Sequence, residues 1–197
     1  HFSLMASHDR LANVMGQIKI LASALFKISN DIKILSSGPR SGIYELIIPQ
    51  NEPGSSIMPG KVNPTQCEAL SMVCTQIMGF EYAVSIANSS GTLQMNEYKP
   101  LIGFNILTSL KLLKNAIKNF RLRLVEGMEP NHQKIELNLK NSLMLVTALV
   151  PKVGYEKATR IANLAFNESI NLKEATIKLG YLNEHQFDEV MNTDLMI

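Results

Sequence analysis

Apolar residues recur along this chain in alternating steps of three and four, and those steps sort it into long helices. Leu4, Leu11, Ile18, Leu25 and Ile32 stand seven apart, and Val14, Leu21, Ile28 and Leu35 make a second row offset by three. The two rows predict one helix over residues 3–35, about 50 Å long at 1.5 Å per residue. A stripe of that length has to be covered by other helices. Residues 36–64 break the pattern with Ser, Gly and Pro, leaving at most a short extended piece at Ile43 to Ile48. An irregular connection this long inside a compact protein is a place to look for function. A second helix is predicted to begin with Asn63 as its cap, Pro64 at the first helical position and Gln66 completing a capping box. Its seam runs Leu70, Val73, Ile77, Phe80, Val84 and Ala87. A polar turn, Asn88 to Asn96, leads to a third helix with Ile106, Leu110, Leu113, Ile117, Phe120 and Leu124 at the same spacing.

Three long helices with matching seams predict a bundle, so the expected fold class is all-α. From residue 127 onward the pattern shortens. Asn171 with Glu174 and Asn183 with Gln186 have capping-box spacing, and Gly154 and Gly180 punctuate. The expected organisation is a bundle portion over residues 1–126, carrying an irregular loop at 53–64, and a small helical domain over 127–197.

Composition narrows the function. Lys and Arg number 19 against 17 Asp and Glu, a net charge of only +2, which argues against an electrostatic grip on nucleic acid or an anionic membrane. No unbroken apolar run approaches the roughly 18 residues of a membrane span. Trp is absent, which disfavours stacking platforms. Cys67 and Cys74 cannot by themselves build a disulfide scaffold or a structural zinc site. Seven residues apart on one helix, they lie roughly 10 Å from each other, too far for a disulfide, and read as small packing residues. The ten methionines are scattered and read as core filler. The chain starts at His1 with helical periodicity at once, and reads as cut from something longer.

The densest polar segment is Gly54-Ser55-Ser56-Ile57-Met58-Pro59-Gly60-Lys61-Val62-Asn63-Pro64. Gly54 and Gly60 permit unusual dihedrals at the two ends of a short arc. Ser55 and Ser56 bring hydroxyls, Lys61 a positive charge and Asn63 an amide. A helix N-terminus follows at once, where free N–H groups favour anions. A carboxylate ligand fits such a place, and a serine alkoxide would be stabilised there if water were excluded. Composition alone equally allows a solvated Gly/Ser/Pro surface loop. Arg40, in Ser-Gly-Pro-Arg-Ser-Gly, has two readings: it orients a carboxylate, or it stabilises a turn.

The eleven-residue string GSSIMPGKVNP resembles the mobile-loop motif GSSxMPxKxN of the fumarase/aspartase superfamily. The continuation Pro64 to Ala69 (PTQCEA) resembles class II fumarases in particular, as do SSGPRSGIYEL upstream and GMEPN, NSLMLVTAL, VGYEKATRIA, LKEA and LGYL downstream. The resemblance covers nearly the whole chain and departs only in the closing VMNTDLMI.

That resemblance implies reversible hydration of fumarate to L-malate, without metal or cofactor, in homotetramers whose long helices pool into a central bundle. Neither nucleic acid nor membrane is an expected partner, and the bacterial cytoplasm or mitochondrial matrix is the expected setting. By position in the motif, Ser55 matches the catalytic base that takes a proton next to a carboxylate. Ser56, Lys61 and Asn63 match substrate-carboxylate ligands. Lys61 and Asn63 also offset the doubled charge of the aci-carboxylate intermediate. Glu68 matches the glutamate that polarises an active-site histidine. That histidine comes, in the family, from an earlier segment of a chain more than twice as long, and each site is assembled from three subunits. His1, His8, His132 and His185 fall outside any segment resembling the catalytic histidine motif and read as partly exposed surface or helix-end residues. The chain therefore reads as the C-terminal part of such an enzyme, inactive alone. Two alternatives stand beside it. An aspartate ammonia-lyase is disfavoured by Gly60 and the Pro64–Ala69 run. A non-catalytic helical oligomerisation protein would have no need to keep Ser55, Lys61 and Asn63.

Overall fold

A computed structural model describes residues 3–191. His1 and the divergent residues 192–197 therefore lie outside the described part. The chain divides into two units, His1–Asn131 and His132–Ile197. The change of character expected at residue 127 falls at a 3₁₀ turn, Val125–Gly127, a few residues before that division.

The first unit is built on three long helices, α2 (Asp9–Leu35), α3 (Thr65–Asn88) and α4 (Lys99–Arg123), preceded by one turn, α1 (Ser3–Ala6). Helix α3 packs against both α2 and α4. Met15, Ile18 and Ala22 from α2, Cys67, Leu70, Cys74 and Ile77 from α3, and Ile102, Leu113 and Phe120 from α4 meet in one core. Ile77 is wholly enclosed, so truncating it to Ala would cost about 2–5 kcal/mol. The fold is all-α, with one two-residue antiparallel ladder between β1 (Leu46–Ile47) and β2 (Glu129–Pro130) in the register Leu46↔Pro130, Ile47↔Glu129. That ladder is all that forms of the extended piece expected at Ile43–Ile48.

Two expectations for the first helix need correction. It is not continuous over 3–35, because α1 and α2 are separated at Ser7 and His8. Side chains compete with the helical ladder there. Ser7 Oγ donates to Asp9 Oδ2 at 3.0 Å, and the His8 amide donates to Asn88 Oδ1 at 2.7 Å instead of to the preceding turn. His8 stands at a helix end, as expected, but it is buried: its Nε2 donates to the Asn96 carbonyl at 3.2 Å.

The second correction concerns the inward face of α2. The buried residues are Met15, Ile18, Ala22, Ser29 and Ile32. The row Val14, Leu21, Ile28 is about half exposed, at 47%, 47% and 46%. A narrow a/d seam assumes one facing partner, whereas α2 has apolar residues on two sides and satisfies one of them against α3. Helices α2 and α3 are also long and apolar enough to cross a membrane, with a mean hydropathy of 1.3 over 18 residues each. Periodic polar residues interrupt both helices, so neither holds an unbroken apolar run of that length. One pair of them, Lys19 and Glu81, forms a 3.0 Å ion pair between the two helices.

The second unit packs α6 (Val146–Val153), α7 (Tyr155–Glu168), α8 (Leu172–Lys178) and α9 (Glu184–Val190) around Leu149, Ile161, Leu172, Ala175 and Phe187, and is preceded by α5 (His132–Asn141), which has no buried residue. Asn183 and Gln186 form the reciprocal capping box their spacing predicts. At α8 the Asn171 side chain accepts the Glu174 N–H. His132 opens α5 and His185 sits on α9, both exposed.

Candidate active site

The polar segment leaves β1, runs irregularly from 48 to 64 and enters α3. Its arc is closed at the base by backbone contact. A Cβ on Gly54 would stand 1.4 Å from the Lys61 carbonyl oxygen, so no other residue fits without opening the loop. Gly60 turns the chain back with φ +78°, in the left-handed region that favours glycine. The Lys61 amide donates to the Met58 carbonyl at 3.3 Å.

Asn63 does not cap α3, contrary to expectation. Its Nδ2 donates to the Gly54 carbonyl at 2.6 Å, and the residue in the cap position is Pro64, with no side-chain cap bond. That bond closes the arc and turns the Asn63 side chain back toward Gly54, and the helix begins after Pro64, one residue beyond Asn63. The first N–H groups of α3 are consequently left without a side-chain partner beside the arc, where they attract negative charge.

Ser55 occupies the inner end of the arc, partly buried. Its Oγ accepts from the Ile57 amide at 3.2 Å and the Met58 amide at 3.4 Å. Two backbone N–H groups aimed at one hydroxyl oxygen favour its ionised form over the neutral one. Ser56 and Lys61 are exposed on the arc, and Lys61 has no ion-pair partner among the described residues. Arg40 is exposed at a bend.

A cavity of about 420 Å³ opens behind the arc, walled by Lys61 and Asn63 together with Lys33, Ser36 and Tyr44. Ser55, Ser56 and Glu68 are not among its walls. Glu68 lies exposed in the first turn of α3. Its neighbour Cys67 is buried, and burial pushes that thiol up to about 11. The thiol is therefore neutral and unreactive at physiological pH. Among the described residues no three His, Cys, Asp or Glu side chains cluster as a metal site.

Comparison with known proteins decides what such a loop belongs to. Residues 1–79 match the family model described as Lyase, and residues 145–197 match Fumarase C C-terminus. A protein of Prochlorococcus marinus subsp. pastoris named fumarate hydratase class II is 85% identical over all 197 residues. The chain belongs to the class II fumarase family. A second relative of that name, from another Prochlorococcus marinus strain, is 60% identical over 99% of the chain. The crystal structure of a class II fumarase from Schistosoma mansoni superposes with a TM-score of 0.91 at 44% identity, over 97% of this chain and 40% of that one. The chain spans 43% of the length of the first relative.

Sequence reasoning missed how the loop is held. Asn51 donates through Nδ2 to the Arg123 carbonyl at 2.8 Å, and Pro49 lies against Gly127. Neither carries a local sequence signal, because each contact joins segments more than seventy residues apart.

Proposed function

We propose that this chain supplies the loop-bearing wall of a fumarate hydratase that interconverts fumarate and L-malate. The observation that carries the reading is Ser55 Oγ held by the Ile57 and Met58 amides, because a serine serves as a base only where its alkoxide is stabilised. Ser55 would remove the proton beside a substrate carboxylate. Ser56, Lys61 and Asn63 would hold that carboxylate, and the Lys61 charge would offset the second negative charge of the aci-carboxylate. The departing hydroxyl needs an acid. Glu68 is suited to polarise a histidine brought by another segment, since His8 stands at the far end of α2, about 40 Å of helix from the loop. No metal or cofactor enters this reading.

Assembly belongs to the same proposal. Phe104 and Leu107 on α4 are 62% and 69% exposed, and with Val14, Leu21 and Ile28 on α2 they leave apolar surface on two sides of the bundle. Surface of that extent calls for further helices, and supports a homo-oligomer, with the tetramer as its form.

The test is a chimera in which these 197 residues replace the 85%-identical segment of the Prochlorococcus marinus relative. Fumarate absorbance should fall without ammonia, and Ser55→Ala should abolish most of that loss while the oligomer persists. Loss only with ammonia would transfer the reading to an aspartate ammonia-lyase. A folded oligomer with no turnover under either condition would leave a structural protein.

A further inference from the structure

The stem of the loop lies along the segment that follows α4, and the contacts advance in step on both sides. The Asn131 amide donates to the Glu45 carbonyl at 2.9 Å. Leu46 pairs with Pro130 and Ile47 with Glu129. Pro49 then sits on Gly127, where a Cβ would come within 2.7 Å of its Cγ. Finally Asn51 Nδ2 donates to the Arg123 carbonyl. One strand therefore descends from 45 to 51 while the other climbs from 131 to 123, well beyond the two residues that form a ladder. Arg123 is the last residue of α4, so its carbonyl has no partner further along that helix, and Asn51 supplies one. Three residues past Asn51 the chain reaches Gly54 and the closed base of the arc.

We infer that this track is the fixed anchor of the Ser55–Gly60 arc, and that Asn51 and Gly127 are positioning residues for the site. The inference rests on the proposed function for its consequence in catalysis, but not for its structural content. Pro49 can lie flat only over a glycine, and the Asn51 amide fixes the height at which the chain leaves the bundle end. Movement of the arc on its Gly54 and Gly60 ends then starts from a defined position. Loss of either contact would let the whole stem swing, placing Ser55 and Lys61 less often in reach of a bound carboxylate.

Trypsin cutting after Lys61 reports the stem directly, since Lys61 lies in the arc and cleavage follows the population of the opened form. The substitutions are Asn51→Ala, Asn51→Gln and Gly127→Ala, each made in the chimera. Asn51→Ala and Gly127→Ala should speed cleavage after Lys61 by about three- to tenfold, the range one net hydrogen bond spans. Cleavage within α2 and α4 should stay unchanged. Asn51→Gln, which keeps the donor, should restore the rate to within about twofold of the parent. In turnover the same variants should raise KM for fumarate more than they lower kcat, with the pH profile unmoved. Unchanged cleavage after Lys61 would overturn the inference, as would equal acceleration at every tryptic site. Faster cleavage with unaltered KM and kcat would remove the positioning role. If the chimera has no hydratase activity, the proposed function fails, while the cleavage rates still decide whether the anchor exists.

Discussion

Asn63 ties its own loop shut, because its Nδ2 reaches back nine residues to the Gly54 carbonyl at 2.6 Å. The same amide is the group proposed to meet a substrate carboxylate, so in that proposal one side chain serves both the arc and the ligand. Asn63→Ala removes both contacts. It should lower kcat/KM in the chimera by about 10- to 100-fold, the range for a hydrogen bond to a charged group. Thermal stability should hardly change, since the bond lies outside the core. Steady-state kinetics beside a melting curve checks this, and a fall of less than about threefold would remove Asn63 from the ligand set.

Gly54→Ala separates loop shape from charge. The added methyl would lie 1.4 Å from the Lys61 carbonyl oxygen, so the base of the arc has to open. No catalytic group is altered, yet turnover should fall at least tenfold, while the melting midpoint shifts by no more than about 2 °C. Gly60→Ala acts by another route: nothing lies within 4 Å of its Cβ position, and the strain comes only from φ +78°. Its penalty should be the smaller of the two.

Lys61 is exposed and has no ion-pair partner among the described residues, which for an ordinary surface lysine means replacement costs almost nothing. The proposed contact to the intermediate predicts the opposite for activity. Lys61→Ala should leave stability unchanged and reduce kcat/KM by more than about tenfold, equivalent to 1.4 kcal/mol. A smaller effect would show that Lys61 is not a direct ligand.

What could be read from the sequence, and what could not, follows from the range of each interaction. The α3 seam was legible because Leu70, Ile77, Val84 and Ala87 recur at helical spacing and are buried where that spacing puts them. The loop was legible because eleven consecutive residues carry its motif. The face of α2 was not, since Val14, Leu21 and Ile28 share the spacing of the buried residues and only the position of α3 tells the two sides apart. Asn63 stays out of the cap for a related reason: its Nδ2 turns back nine residues to the Gly54 carbonyl, a contact that the local capping pattern does not carry. The break at Ser7–His8 depends on Asn88 and Asn96, 80 and 88 residues from His8, as the loop anchor depends on Arg123 and Gly127.

Cys67 gives a prediction in pH. Burial raises its thiol from 9.0 to about 11, with Lys33 opposing and Glu68 reinforcing, and Cys74 moves in the same direction through burial. Between those values the unfolded chain has released the Cys67 proton and the folded chain keeps it, so folding stability declines as pH rises. The contribution is fully present below pH 9 and is lost progressively as pH climbs through 11. Chemical denaturation at pH 8, 9, 10 and 11 should show that decline, and Cys67→Ala should lessen it, leaving the part due to Cys74. The same burial keeps both thiols from a disulfide-exchange reagent at pH 8 until the chain unfolds.

The outward row of α2 makes the last prediction. Val14, Leu21 and Ile28 lie about two turns apart on one side, each about half exposed, and full burial of such side chains is worth about 1.5–3 kcal/mol apiece. Within one chain that energy is unrealised. Exposed apolar side chains contribute little to the fold, so Leu21→Lys with Ile28→Glu should leave the helical content and melting of the isolated chain nearly intact. Association is where the cost should fall, because charges would be forced into a helix–helix contact without partners. Sedimentation velocity distinguishes the outcomes. The parent chain should sediment as an oligomer and the double variant as a monomer. If both sediment alike, the assembly uses another face, and the exposed residues of α4 around Phe104 and Leu107 become the surface to change next.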